Sequence, residues 1–505
     1  MNLLLLLVVG LPLVGAAALL LLPRRAVEPV AAGSAIVLSS VTLLGALLML
    51  AATPWRTPTS ALDLDVPWIT GLGVRFHLRL DGISLPLVLL TAALGVLVAV
   101  HAWRRPPAGG SARSLAACLL AVEGGALATF TAADAVLFFV AFEVVLVPMW
   151  ALIRWWGDQH DDPGRRDAAA RFVLYTALGS ALMLLGLLVV VLGAGTSDLV
   201  VLAAAHGGGL DAQLQLAAAV LLVLGLAVKV PVWPLHTWLA PAHTAAPTVG
   251  SVLLAGVLLK MGSYGLVRVV VPIVPDGFTR IAPVLGVAGV VGILWGGLVC
   301  LVERDLKRLV AFSSVAHMGF VALGIASGTP QGLQGALFAN VAHGVITALL
   351  FVVAGGLKDR AGSGLLDRIG GGLRDRSPHL GLLLAVGCVA GLGLPGLAGF
   401  WGELLAITGA WQGSGPWRGW RTLAVLAAVG TALAAAYLLR VLRRIWQGDG
   451  TDSGVGQAPD ATGGELAVAA PLAVAALVLG LVPGLLLSVT EPAVTALLAS
   501  LRGAA

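Results

Sequence analysis

The stretch GLAVKVPVWPLHTWLAPAH, residues 225–243, lies in a long apolar run, yet it carries Lys229, Pro231, Pro234, His236 and His243. A lysine at bilayer depth costs about 3 kcal/mol on insertion scales. Proline removes a backbone donor and clashes with the preceding turn. The stretch therefore predicts a transmembrane helix that breaks beside a buried charge. Carbonyls freed by such a break must be satisfied by protein or by water in a cavity. Interrupted helices near the midplane mark ion sites in transporters.

Outward from this stretch, apolar runs long enough to span a bilayer as helices recur along all 505 residues. The chain is 59% hydrophobic and 11% charged, with a mean hydropathy of +0.99. Soluble domains carry roughly a quarter charged residues, so the composition predicts an all-α polytopic membrane protein. Fourteen spans are expected, near 3–22, 30–52, 84–103, 114–131, 135–155, 170–194, 212–239, 247–271, 281–303, 308–327, 331–356, 379–411, 422–445 and 465–490. GLGLPGLAGFWGE, 391–403, predicts a second break at Pro395, and VVVPIVP, 269–275, a milder one near a helix end.

The net charge of +5 is no nucleic-acid signal, because the basic residues lie between spans. Most of the 30 Lys and Arg follow odd-numbered spans, which the positive-inside rule assigns to the cytoplasm. Both termini and the loop 53–83 are then external. The N-terminal run has no basic residue before it, unlike a cleaved signal, and reads as the first span. Cys118, Cys300 and Cys388 stand alone, without metal or iron–sulfur spacing. No GxGxxG follows a predicted strand, and the histidines form no HExxH. Neither a metal nor a redox cofactor is expected in this chain.

Ionisable residues inside spans are functional candidates by default. They are Glu123 on span 4, Glu143 on span 5, Lys229 on span 7, Lys260 on span 8, His317 on span 10, His343 on span 11 and Glu403 on span 12. Each also has a plainer reading. Glu143 and Lys229 form a structural ion pair, the histidines are satisfied core residues, Glu403 lies near a membrane surface, and His236 and His243 cap broken helix ends. Together they read better as a proton wire. Glu143 and His317 are 174 positions apart, as are Lys229 and Glu403, a weak sign of internal duplication. In this reading Glu143 holds Lys229 charged, and its withdrawal releases the proton toward Lys260.

LFFVAFEVVLVPMWALI, RFVLYTALGSALMLLG, VKVPVWPLHTWLAPAHTAAPTVGSVLLAGVLLKMGSYGLVR, DLKRLVAFSSVAHMGF and GLPGLAGFWGELL resemble the antiporter-like membrane subunits of respiratory complex I, the proton-translocating NADH-quinone oxidoreductase. The resemblance covers roughly 115 to 445. It implies fourteen helices, with two inverted five-helix repeats and broken helices 7 and 12. The segments would be 1–113, with helices 1–3 and an external loop; 114–275, the first repeat; 276–446, the second; and 447–505, helix 14 and a tail. It also implies a proton path through Glu143, Lys229, Lys260, His343 and Glu403; His317, His236, Glu123 and His243 remain secondary candidates from the reading of the residues themselves. Glutamate rather than lysine on span 12 sorts the chain with the M-type members. NADH, FMN, iron–sulfur clusters and quinone would then bind partner subunits, and antiporter-like L and N neighbours are expected in a bacterial plasma membrane. Arg154 before Trp155 and Trp156, and the charged loop GDQHDDPGRRD, depart from the family pattern.

The alternative within reach is a multisubunit sodium/proton antiporter. A membrane hydrolase or acyltransferase lacks a GxS-type nucleophile near the buried histidines. An assembly scaffold with inert buried charges is the third reading.

Overall fold

Apolar runs of this length cannot leave backbone groups unpaired in lipid, so they close into helices. In the computed structural model they do so almost throughout. The structure describes residues 1–55, 57, 61–413, 417–447 and 459–503. The expected segment 447–505 therefore lies partly outside the described residues.

Helices α1 (Asn2–Leu21) and α2 (Ala31–Ala52) come first. An antiparallel hairpin, β1 (Ala61–Ile69) with β2 (Val74–Asp81), follows. Next are α3 (Leu85–Arg104), α4 (Ala112–Thr131), α5 (Ala135–Trp156) and α6 (Asp162–Ala194). Helix 7 is split into α7a (Ala212–Lys229) and α7b (Leu239–Ala245). Then come α8 (Thr248–Ile273), α9 (Pro275–Val302), α10 (Leu306–Ala326) and α11 (Pro330–Ala361). Helix 12 is split into α12a (Pro378–Gly391) and α12b (Ala398–Trp411). The chain ends with α13 (Trp420–Gln447), α14 (Gly463–Leu481) and α15 (Gly484–Gly503).

Many loop acids and hydroxyls are helix caps, accepting from N–H groups that a first turn leaves free. Asp134 caps α5, Asp161 α6, Asp211 α7a, Asp305 α10 and Thr329 α11. Thr462 and Glu465 form a reciprocal capping box on α14. Helices α8, α10 and α11 are enclosed over nearly their whole length, whereas most of α1, α2, α6 and α14 faces outward. The outward faces carry large apolar side chains such as Leu3, Val14, Leu174, Leu192, Trp295 and Val302, as a lipid-facing surface requires.

The segment 53–83, expected as an external loop, is mostly the hairpin, in which His77 bridges Asp63 at 2.8 Å and Asp198 at 3.0 Å. One expectation needs correction. The last span does not run through 465–490. Helix α14 stops at Leu481, where Val482 and Pro483 turn the chain, and α15 is a separate helix. It lies against the hairpin side, where Thr490 donates to Gln334 at 2.6 Å in the first turns of α11. By length and composition α15 is one of fourteen unbroken helices able to cross a membrane among the described residues, and the split helix 12 is not among them.

Candidate functional site: a buried row of ionisable side chains

The break after Lys229 is resolved by the protein itself. Pro231 and Pro234 lie in the non-helical stretch between α7a and α7b. The Val228 carbonyl accepts from Trp238 Nε1 at 3.0 Å, and the Ala227 carbonyl accepts from Val232 N at 3.0 Å. Lys229, the last residue of α7a, is buried. Its Nζ sits 4.9 Å from the centre of the Phe142 ring, a cation–π distance. Glu143, next to Phe142, accepts from the Ser180 hydroxyl and lies within Coulombic reach of Lys229. Among the described residues the two form no ion pair within 4.0 Å, so the aromatic face contacts the ammonium and the carboxylate acts from farther away.

Helix α8 touches this group, because a Cβ at Gly262 would stand 3.0 Å from Lys229 Cβ. Two stretches of α8, Leu254–Leu258 and Leu266–Val270, are wound as π-helix, a feature frequent at functional sites. Between them Lys260 is wholly buried. Its Nζ donates to the Ala255 carbonyl at 2.5 Å and stands 2.6 Å from His343 Nδ1. A histidine and a carbonyl, rather than a carboxylate, thus hold the lysine.

From His343 the row continues. The His317 and His343 rings are 5.9 Å apart by centroid. His317 Nδ1 is 3.0 Å from Glu403 Oε1. His317, His343 and Glu403 line a cavity of about 20 Å³ with Ser313 and Thr347, roughly room for one water. Glu403 sits on α12b, after the break predicted at Pro395. Gly393 in that break has φ +76, and a Cβ there would lie 2.9 Å from Glu403 Oε2. Only glycine suits both that backbone and the carboxylate. The 174-residue offset thus relates one end of the row to the other: Glu143 and Lys229 lie near each other at one end, and His317 and Glu403, their counterparts by that offset, at the other.

The remaining candidates divide. His243 on α7b is wholly buried and stacked on Phe351, with ring centroids 4.5 Å apart. It is within Coulombic reach of Lys260 and of Lys307. Lys307, at the start of α10, donates to the Ala246 carbonyl at 2.6 Å and lines a cleft of about 680 Å³ with Thr248, Trp156 and Lys358. That cleft opens on the face away from the hairpin. His236 lies in the helix 7 break with Nδ1 unpartnered. Glu123 is not brought to the row. It is buried among α2, α3 and α4, where Ser39 donates to it at 2.5 Å and Gly95 makes room for its carboxyl.

Sequence reasoning missed Lys307, Phe142, Ser180 and Asn340. In DLKRL, Lys307 reads as one more loop cation beside Arg308. Nothing in a single sequence brings Ser180 to Glu143, 37 positions away.

A family model described as NADH:quinone oxidoreductase/Mrp antiporter, TM, matches residues 132–433. The chain is 36% identical over 501 residues to NADH-quinone oxidoreductase subunit M of Rhodobacter capsulatus, covering 96% of this chain and 94% of that one. It resembles a chain of respiratory complex I from Thermus thermophilus with a TM-score of 0.84 at 31% identity, covering 98% and 99%. A chain of the Mrp complex from a Dietzia species shares the fold, with a TM-score of 0.83 at 24% identity over 99% and 98%.

Proposed function

Because the chain belongs to the NADH:quinone oxidoreductase/Mrp antiporter family of transmembrane subunits, we propose that it is the M-type, proton-translocating membrane subunit of an NADH-quinone oxidoreductase. The observation that carries this reading is the unbroken neighbourhood Lys260–His343–His317–Glu403, with 2.6 Å and 3.0 Å between its end pairs. Four titratable groups in enclosed helices would be costly ornaments for a scaffold. Protons enter by the 680 Å³ cleft and pass Lys307 and His243 to the Lys260–His343 pair. Glu143 and Lys229 form the control end, where a shift of the carboxylate changes how firmly the ammonium keeps its proton. Moving one proton against 100 mV costs about 2.3 kcal/mol, the size of a shift of two pKa units at most.

In this reading NADH, FMN, iron–sulfur clusters and quinone belong to partner subunits, and L- and N-type neighbours pass on the driving signal. The membrane is a bacterial plasma membrane, and the repeats are 114–275 and 276–446. Lys229→Ala in the assembled complex tests the path. NADH-driven proton uptake into inverted vesicles should fall about tenfold, equal to roughly 1.4 kcal/mol on the barrier, with assembly intact. Parental pumping by that variant would count against the path. Sodium/proton exchange without NADH would support the antiporter reading instead.

A further inference from the structure

On the hairpin side of Lys260, α8 carries a second polar group that the row does not use. Arg268 Nη2 donates to both carboxylate oxygens of Asp81, at 2.6 and 2.5 Å. Burial works against the Asp81 charge, but Arg268 and the Ile83 and Ser84 N–H groups hold its carboxyl below the usual carboxylate range. Arg268 Nε donates to the Tyr264 hydroxyl at 3.3 Å, which turns the hydroxyl hydrogen away from the guanidinium. Tyr264 is buried, braced edge-on by Phe130 at 5.4 Å, and forms part of the lining of a cleft of about 180 Å³. Arg79, Asp81, Arg268 and, from α15, Ala493 and Ala496 also line it.

Between this cleft and the row lie two more polar side chains. Ser263 donates to Asn340 Oδ1 at 2.8 Å. Asn340 is wholly buried, its Nδ2 has no partner, and it sits one turn from His343 toward the hairpin side. A buried unpaired donor of this kind is where an ordered water belongs.

We propose that Ser263, Asn340 and Tyr264 form a proton-release branch from the Lys260–His343 pair into the cleft beneath α15, with Asp81 and Arg268 as its fixed mouth. This rests on the path proposed above and adds its outlet. A proton leaves the Lys260 ammonium for water held by Asn340. Tyr264 accepts a proton on its oxygen while giving its own hydroxyl proton to water in the cleft, so the tyrosine ends neutral. Arg268 keeps its charge throughout, since guanidinium does not deprotonate in proteins. The fixed Arg268–Asp81 pair sets the same electrostatic height at the mouth for departure and for return, so the direction of flow comes from the driven change at the Lys260–His343 pair.

The test uses the whole complex in membrane vesicles, with Lys260→Met as reference. Tyr264→Phe keeps the ring against Phe130 and removes only the hydroxyl. NADH-driven pumping should drop at least tenfold, set against the roughly 10²–10⁴-fold that a positioned proton-transfer group contributes, while uncoupled quinone reduction persists. Ala496→Cys, in a background without Cys118, Cys300 and Cys388, should pump normally in inverted vesicles unless the cells were treated with a bulky impermeant thiol reagent, which reaches the hairpin side, before the vesicles were made. Pumping should return when a reductant removes the adduct. If Lys260→Met stops pumping but labelled Ala496→Cys and Tyr264→Phe pump at the parental rate, the release branch is wrong and the row stands. If Lys260→Met pumps normally, the row itself fails. Should Tyr264→Phe not assemble, the labelling result decides.

Discussion

Lys260 separates a proton carrier from a buried charge that merely steadies the fold. Its Nζ donates to a backbone carbonyl at 2.5 Å and lies 2.6 Å from His343 Nδ1, so no carboxylate pins its charge. If a fixed positive charge were all that mattered, Lys260→Arg would be tolerated. Arginine keeps its proton at any working pH, so a relay through this position must stop. Lys260→Arg is expected to lose pumping as fully as Lys260→Met, about tenfold or more, measured as the proton-to-electron ratio in vesicles. Near-parental pumping by the arginine variant would falsify a carrier role. The residue identities were legible in the sequence, because each stood out as a charge in an apolar run. Their partners were not. Lys260 and His343 are 83 positions apart, and the position of Glu123, a secondary candidate, among α2, α3 and α4 depends on contacts from Ser39, 84 positions away.

At the scale of elements, the two helix breaks were readable from proline, while their fittings were not. Pro231, Pro234 and Pro395 mark the gaps, but the use of Trp238 to satisfy the Val228 carbonyl depends on a contact ten positions away. The π-wound stretches of α8 left no local signal, since LAGVL and LVRVV read as ordinary helix. The helix 12 gap gives the sharper test. Gly393→Ala would force a left-handed backbone on a residue with a Cβ, at about 1–2 kcal/mol, and would crowd Glu403 away from His317. The melting temperature of the complex should fall and pumping with it. Gly10→Ala, whose Cβ meets nothing within 4 Å, is the matched control. Equal behaviour of the two variants would remove Gly393 from the site.

Over the whole molecule, hydropathy gave the all-helical membrane class directly, because a bilayer permits so few backbone solutions. The fourteen spans it predicts agree in number with the fourteen helices able to cross a membrane among the described residues, although α15 is in that set and the split helix 12 is not. Run length did not show the hairpin, and it set the last span, 465–490, across the boundary between α14 and α15. Orientation follows from charge counting and is open to a direct check. Leu72, on the hairpin turn, and Arg368, between α11 and α12a, are both exposed on opposite faces. As single cysteines, Leu72→Cys should react with an impermeant reagent in right-side-out vesicles and Arg368→Cys only in inverted ones. The reverse pattern would invert the assignment of uptake and release sides.

Each π turn of α8 winds in one residue beyond what an α-helix of the same rise needs. The segment Leu259–Gly265, which bears Lys260, is flanked by two such surpluses. Moving a surplus from one flank to the other would screw that segment by about 100°, one residue's angle at 3.6 per turn, while both helix ends stay anchored. A torsional throw of this kind aims one amine at different neighbours in turn, and it asks nothing of the surrounding bundle except a hollow to sweep through.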